Sequence, residues 1–300
     1  MKKKMFMMAC LAVLGIQVVK AQIAALALHH SGNVTMYNGS QFSNMMSAAV
    51  DGDTIYISSG VLSTDITISK KLTFIGAGTE TIINGDISVA IPDSVTMTSR
   101  LLQDIKVSGD IAVDKSIAGL QFTRCQFNSI KFNAYVDASN IDKCVFWNHF
   151  YLSDKIKNLN IVTTKIKYYS GNCADPDNAH FINCNMGAGN GLATYINCII
   201  KPDSYGLPEA ATYKNCLFYY YMPDTAINSW NTSKALRLDG DLNATGVTLT
   251  DYLGTDGTVV GVTGTANPFT LSPSTPRVLT HSLGVNEAGT TLSVTLTVGN

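Results

Sequence analysis

Five cysteines of this chain sit in nearly the same six-residue setting: FTRCQF around Cys125, IDKCVF around Cys144, FINCNM around Cys184, YINCII around Cys198 and YKNCLF around Cys216. They are separated by 19, 40, 14 and 18 residues. A unit of about twenty residues with strand-like content is too small to bury its own apolar face, so such units must stack on one another. The interval of 40 spans two periods, which predicts one copy without its signature, near Ile166 to Cys173.

Parity within the unit shows how the chain must run. In an extended chain the Cys and the residue two later (Phe127, Phe146, Met186, Ile200, Phe218) share one face. The apolar residue three before the Cys (Phe122, Ile141, Phe181, Tyr195, Tyr213) would then face away. All three positions can point inward only if the backbone bends sharply just before the Cys. That residue is Asn183, Asn197 and Asn215 in three copies, and Asn accepts a left-handed backbone more readily than most other non-glycine residues. Stacked corners would let the amides bond as a ladder, interrupted by Arg124 and Lys143 in the first two copies. Cysteine, small and commonly buried, suits the inward position beside it. Residues in register on neighbouring coils stand about 4.8 Å apart, wider than the usual Cβ separation of a bridge. Reduced thiols are therefore expected, with Cys198 and Cys216 the pair to form a disulfide otherwise. No CxxC or paired His suggests zinc.

Composition agrees with an all-β chain: of 300 residues only 14% are charged, while 46% are hydrophobic. The first residues, MKKKMFMMACLAVLGIQVVKAQ, combine a lysine cluster, an apolar run and a small-residue site ending at Ala21, which reads as a secretory signal over 1–21. The apolar run before Ala9-Cys10 is short for a lipoprotein signal, and an uncleaved anchor fits less well. No later apolar run spans a membrane, so insertion after cleavage is not expected. Removing four of the 21 basic residues leaves 17 against 22 acidic ones, a net charge of −5. With Arg100, Arg124, Arg237 and Arg277 scattered, nucleic acid is a poor partner.

The stretch Ser40 to Gly78 contains Gly52-Asp53-Thr54-Ile55-Tyr56-Ile57, Ile66-Thr67-Ile68 and Lys71-Leu72-Thr73-Phe74-Ile75-Gly76. It resembles the first coils of pectate-lyase-like right-handed parallel β-helix proteins. In that family a short amphipathic helix caps the solenoid. Here Phe42, Met45, Met46 and Ala49 fall at helical spacing after Ser40 as cap, with Gly52 as the stop. Leu238 to Gly264 is similar to the closing segment of bacterial surface proteins of that fold, with an Asp-Gly turn at Asp239-Gly240. The expected organisation is an N-terminal strand and capping helix over 22–54, about nine coils with their closing segment over 55–264, and a two-stranded appendage over 265–300 turning at Asn286 to Gly289.

The fold leaves activity open. The WIDH and RxPxxR strings of pectate lyases and the NTD, DD, GHG and RIK strings of polygalacturonases are missing. Asp175 and Asp177, with His180 nearby, are the weak catalytic candidates, and calcium is the cation such carboxylates would hold. A polar turn of Asp, Pro and Asn explains them more simply, as it does Asp239 and Asp241. GAGNG (Gly187 to Gly191) and IGAG (Ile75 to Gly78) read as turns, and His29, His30 and His281 as surface residues. Alternation places Trp147, Tyr151, Tyr219 and Tyr221 outward, beside Tyr168 and Tyr169, where rings on successive coils would offer a platform for sugars; stacking between coils is the competing explanation. The expectation is an exported, cell-surface or secreted scaffold without catalysis that binds a polysaccharide or mediates adhesion. The alternatives are a polysaccharide lyase or hydrolase with a divergent site and a purely structural spacer.

Overall fold

A computed structural model of the chain describes residues 23–299 except 93, 94, 172, 174, 190, 202–206, 255, 266, 273–276 and 286–291. The expected signal segment, Ala9-Cys10 and the turn at Asn286 to Gly289 lie outside the described residues. The fold is a parallel β-solenoid. One sheet stacks nine strands in parallel, from Thr54–Ile57 through Gln121–Thr123, Val136–Asp142, Ile156–Val162 and Ala179–Ile182 to Thr212–Lys214. Beside it a second sheet stacks ten, from Gly60–Leu62 through Gln126–Phe127, Val145–Leu152 and Lys165–Gly171 to Trp230–Asn231.

Between the sheets the chain turns at Asp104, Arg124, Lys143, Thr163, Asn183, Asn197, Asn215 and Asn228, all with φ between 47° and 57°. The bend deduced from parity is thus a column of left-handed corners. The copy without a Cys lies at Thr163-Thr164, a few residues earlier than the Ile166 to Cys173 stretch expected. Thr164 takes the Cys position because its hydroxyl does the same work: Oγ1 donates to the Val162 carbonyl two residues back (2.8 Å) and accepts from Cys144 N (3.2 Å). Cys125, Cys144, Cys184, Cys198 and Cys216 each donate a thiol to the carbonyl two residues back at 3.3 to 3.4 Å. Ser229 continues the column, donating to Ile227 O (3.0 Å).

The amide ladder is shorter than expected. Asn215 Nδ2 donates to Asn197 Oδ1 at 3.4 Å, whereas the buried Asn183 Oδ1 has no partner. The corners are joined by backbone instead: Arg124 N to Asp142 O, Thr163 N to Ile182 O, Asn197 N to Lys214 O and Asn215 N to Ile227 O, at 2.9 to 3.0 Å. Asn is there for the turn itself, and any residue that tolerates φ near 50° keeps the stack bonded. All six described cysteines are free and buried.

Inside, the rings three before the Cys pile along the axis. Phe181, Tyr195 and Tyr213 stack with centroids 5.2 and 5.0 Å apart and planes tilted by 9° and 8°. Phe122, Phe127, Phe146 and Phe150 continue the aromatic core in tilted and edge-on contacts.

The N-terminal end is closed. Ala25–His30 pairs antiparallel with Thr54–Ile57, and Asn33–Asn38 pairs on its other side as the edge strand. Helix Phe42–Ala48 buries Phe42 and Met45 against the first coils, and Ala49 follows them into the core. It starts two residues after Ser40, which bonds Asn38 Oδ1 instead (2.5 Å), while Gln41 Oε1 accepts from Asn38 N (3.1 Å). Lys70 Nζ donates to the Met46 and Ala49 carbonyls at 2.8 and 2.6 Å, satisfying the helix end. Gly52, at φ 93°, turns the chain into the first coil rather than ending the helix.

After Asn231 the chain folds back over the outside of the second sheet as a strap, residues 234–269. Its Leu236 and Val260 bury Ile199 and Leu217, the outward residues beside Cys198 and Cys216. Asn185 Nδ2 donates to Leu242 O (2.9 Å), and Gly261 N to Asn197 O (2.8 Å). Gly261 has φ 84°, and a Cβ there would sit 2.5 Å from Asn185 Oδ1, so the strap lies close only because this residue is glycine. Arg277–Val285 and Leu292–Gly299 form an antiparallel pair, as expected of the appendage.

Candidate ligand-binding face

Strand Val145–Leu152 buries Val145, Phe146, Phe150 and Leu152 and leaves Trp147, His149 and Tyr151 half-buried on the outside. On the next coil the register against Lys165–Gly171 slips between Phe146 and His149, so Tyr168 lies opposite His149 while Tyr169 lies opposite Phe150. Tyr169 is consequently a core residue, 1% exposed, and only Tyr168 of that pair joins the outer face.

The outer residues form a strip. Trp147 Nε1 donates to Gln126 Oε1 at 3.2 Å. The His149 ring stacks on Tyr151 (5.1 Å, 26°) and lies 5.5 Å from Tyr168. Lysines edge it: Lys131 Nζ stands 5.3 Å from the Tyr151 centroid and Lys167 Nζ 5.2 Å from that of Tyr168. His149 Nδ1 is buried without a partner. Flat rings with cations and amides around them are the surface on which the apolar face of a pyranose rests while its hydroxyls and carboxylates find donors.

The four aromatics expected to make one platform are divided. Trp147 and Tyr151 belong to this strip. Tyr219 points outward, as alternation required, but the strap covers it, with Lys201 Nζ at 5.6 Å and Arg237 at 5.4 Å from its ring. Tyr221 is 42% exposed and bonds Glu209 through its hydroxyl, which raises the phenol pKa. The strap was legible as a closing segment; its landing place was not, because a sequence does not show which face an antiparallel segment returns to.

Asp175 accepts from Asp177 N (2.9 Å) and caps the short turn Pro176–Asn178. His180 lies in the following strand, half-buried and in register with Asn160 and Thr194. Asp239 accepts from Asp241 N (2.9 Å) and Asn243 N (2.8 Å). Among the described residues no three His, Cys, Asp or Glu gather where they could hold a metal. His30 is exposed, as expected, and its Nδ1 meets Asp53 Oδ1 at 2.7 Å.

Sequence reasoning missed a charged cluster on the first sheet. Arg124 clamps the fully buried Asp104 of the preceding corner through Nε (2.6 Å) and Nη2 (2.9 Å). Gln103 Nε2 donates to the same carboxylate (2.8 Å), and Arg100 Nη1 donates to Gln103 Oε1 (3.0 Å). The Asp104 hydrogen bond raises the Arg124 pKa, while burial pushes the Asp142 carboxyl up against the pull of Lys143, Arg124 and Arg100. Arg100, Gln103, Gln121, Thr54 and Thr73 line a cavity of about 410 Å³. The available signal was the charge at corner positions, Arg124 and Lys143, with Asp104 one coil earlier.

No protein-family model, curated protein or solved structure matches this chain.

Proposed function

We propose that this protein is an exported scaffold of the pectate-lyase-like β-helix kind, held at or released from the cell surface, whose aromatic strip at Trp147, His149, Tyr151 and Tyr168 binds carbohydrate without transforming it. The observation that carries the reading is the strip itself: rings from two coils lie side by side on a face the strap leaves uncovered, edged by Lys131 and Lys167. Placement of ammonium groups against the rings favours glycans that carry carboxylates or sulfates. Retention on a glycan array tests it. Trp147→Ala and Tyr151→Ala should each weaken binding several-fold, in line with about 1 kcal/mol per ring contact, while Tyr219→Ala should leave it unchanged. Retention equal to wild type in both ring variants would overturn the reading.

A second reading, a polysaccharide lyase or hydrolase, is favoured by one observation: a carboxyl with a raised pKa, Asp142, beside the Arg124–Asp104 clamp. It requires unsaturated or reducing-end products from a polysaccharide panel, lost in Asp142→Asn.

A further inference from the structure

Lys165 follows Thr164 at the corner that lacks a Cys, and its side chain leaves the second sheet outward into the strap. It is 7% exposed. Nζ donates to Asn243 Oδ1 at 2.7 Å and to the Asp241 carbonyl at 3.0 Å, and lies 4.5 Å from the centroid of the Phe269 ring. The Asn243 amide is held from its other side, where Nδ2 donates to Asp239 Oδ2 at 3.2 Å. That carboxylate is fixed in turn by the backbone N–H groups of Asp241 and Asn243. A buried amine and a half-buried carboxamide thus meet across the junction between solenoid and strap, with the exposed Asp239 carboxylate behind the amide.

We propose that Lys165 and Asn243 form an intramolecular isopeptide bond that welds the strap to the coils. The uncharged amine of Lys165 attacks Asn243 Cγ, forming the Nζ–Cγ bond. The Cγ–Nδ2 bond breaks, the proton lost from Nζ moves to Nδ2, whose amide the Asp239 carboxylate holds, and ammonia leaves. Amine and carboxamide become secondary amide and ammonia, so neither oxidant nor external acid is consumed. Burial under the strap lowers the Lys165 pKa despite the opposing pull of Asp239 and Asp241, which favours the uncharged amine. On the adjoining coil Lys143 meets Asn267 of the strap, but no described carboxylate holds that amide, so the same chemistry is not assigned there. Lys155 reaches only a backbone carbonyl, that of Asn133.

Tryptic mapping of the purified full chain under denaturing conditions tests the bond. Residues 158–167, uncut at Lys165, should be found joined to residues 238–277, with a combined mass lower than the sum of the two by one ammonia. Lys165→Arg and Asn243→Ala should abolish the joined species, and Asp239→Asn should slow its appearance. Because the wild-type digest is decisive by itself, misfolding of a variant does not blur the outcome. Cleavage after Lys165 together with an intact, unlinked Asn243 peptide in the wild-type protein overturns the proposal and leaves a noncovalent latch.

Discussion

Thr163 is the most strained residue of the corner column, a β-branched side chain at φ 47° where four of the other corners carry Asn. A left-handed conformation costs such a residue about 1–2 kcal/mol. Thr163→Asn should therefore stabilise the protein by about 1 kcal/mol, read as a higher urea midpoint at unchanged slope; a lower midpoint would show that the Thr side chain contributes something the corner needs. The neighbouring column makes the opposite kind of statement. Thr164 and Ser229 already do with hydroxyls what the cysteines do with thiols, so Cys198→Ser should cost no more than about 1 kcal/mol, within the range of one neutral hydrogen bond. Cys198→Leu, which overfills a fully buried site, should cost about 1–3 kcal/mol. At this scale the sequence carried the bend and the burial of the cysteines, because parity and the tolerance of Asn for positive φ are local. It concealed the occupants of the other corners. Asp104 and Arg124 are held left-handed by their ion pair and their backbone bonds, and neither residue type announces that conformation.

The coil is the next unit, and its stability lies in the axial pile of rings. Tyr195 sits between Phe181 and Tyr213 and donates its hydroxyl to Gly191 O at 2.7 Å. Tyr195→Ala should destabilise by about 3–5 kcal/mol, and Tyr195→Phe, which leaves a buried carbonyl unbonded, by about 1–3 kcal/mol. If Tyr195→Phe proved as damaging as the alanine variant, the hydroxyl rather than the stack would be the stabilising group. The parallel coils and the capping helix were readable from repeat spacing and from Phe42, Met45 and Ala49. The strap was readable as a segment but not as a cover, since Leu236 and Val260 carry no mark of their partners Ile199 and Leu217. For the same reason the expected aromatic platform is divided: Trp147 and Tyr151 survive in the strip, Tyr219 lies beneath the strap, and Tyr221 stands exposed beside Glu209.

Across the whole molecule, buried thiols and phenols accumulate along the coils from Cys125 to Cys216. Burial raises the pKa of Cys144, Cys198 and Cys216 and of Tyr169, Tyr195 and Tyr213. Each acid remains protonated in the folded chain while its unfolded counterpart ionises, at about 8.5 for thiols and 10 for phenols. The associated stability is complete below those values and is lost as pH climbs from them toward the raised folded values, by about 1.4 kcal/mol per pH unit for each group. The urea midpoint should hold steady up to about pH 8 and fall with growing steepness above about pH 10; a flat profile to strong alkali would contradict the burial of these groups. Free thiols also mean that dithiothreitol should leave the melting temperature unchanged.

The closed amino-terminal end has a developmental consequence. The hairpin and the cap helix precede the coils in the chain, and together they present a finished edge for the first repeat. Each later turn then lays itself on a completed template, and the strap follows all the turns it covers. Assembly therefore has a direction, and the segment that follows the coils is the one that clamps them against unwinding.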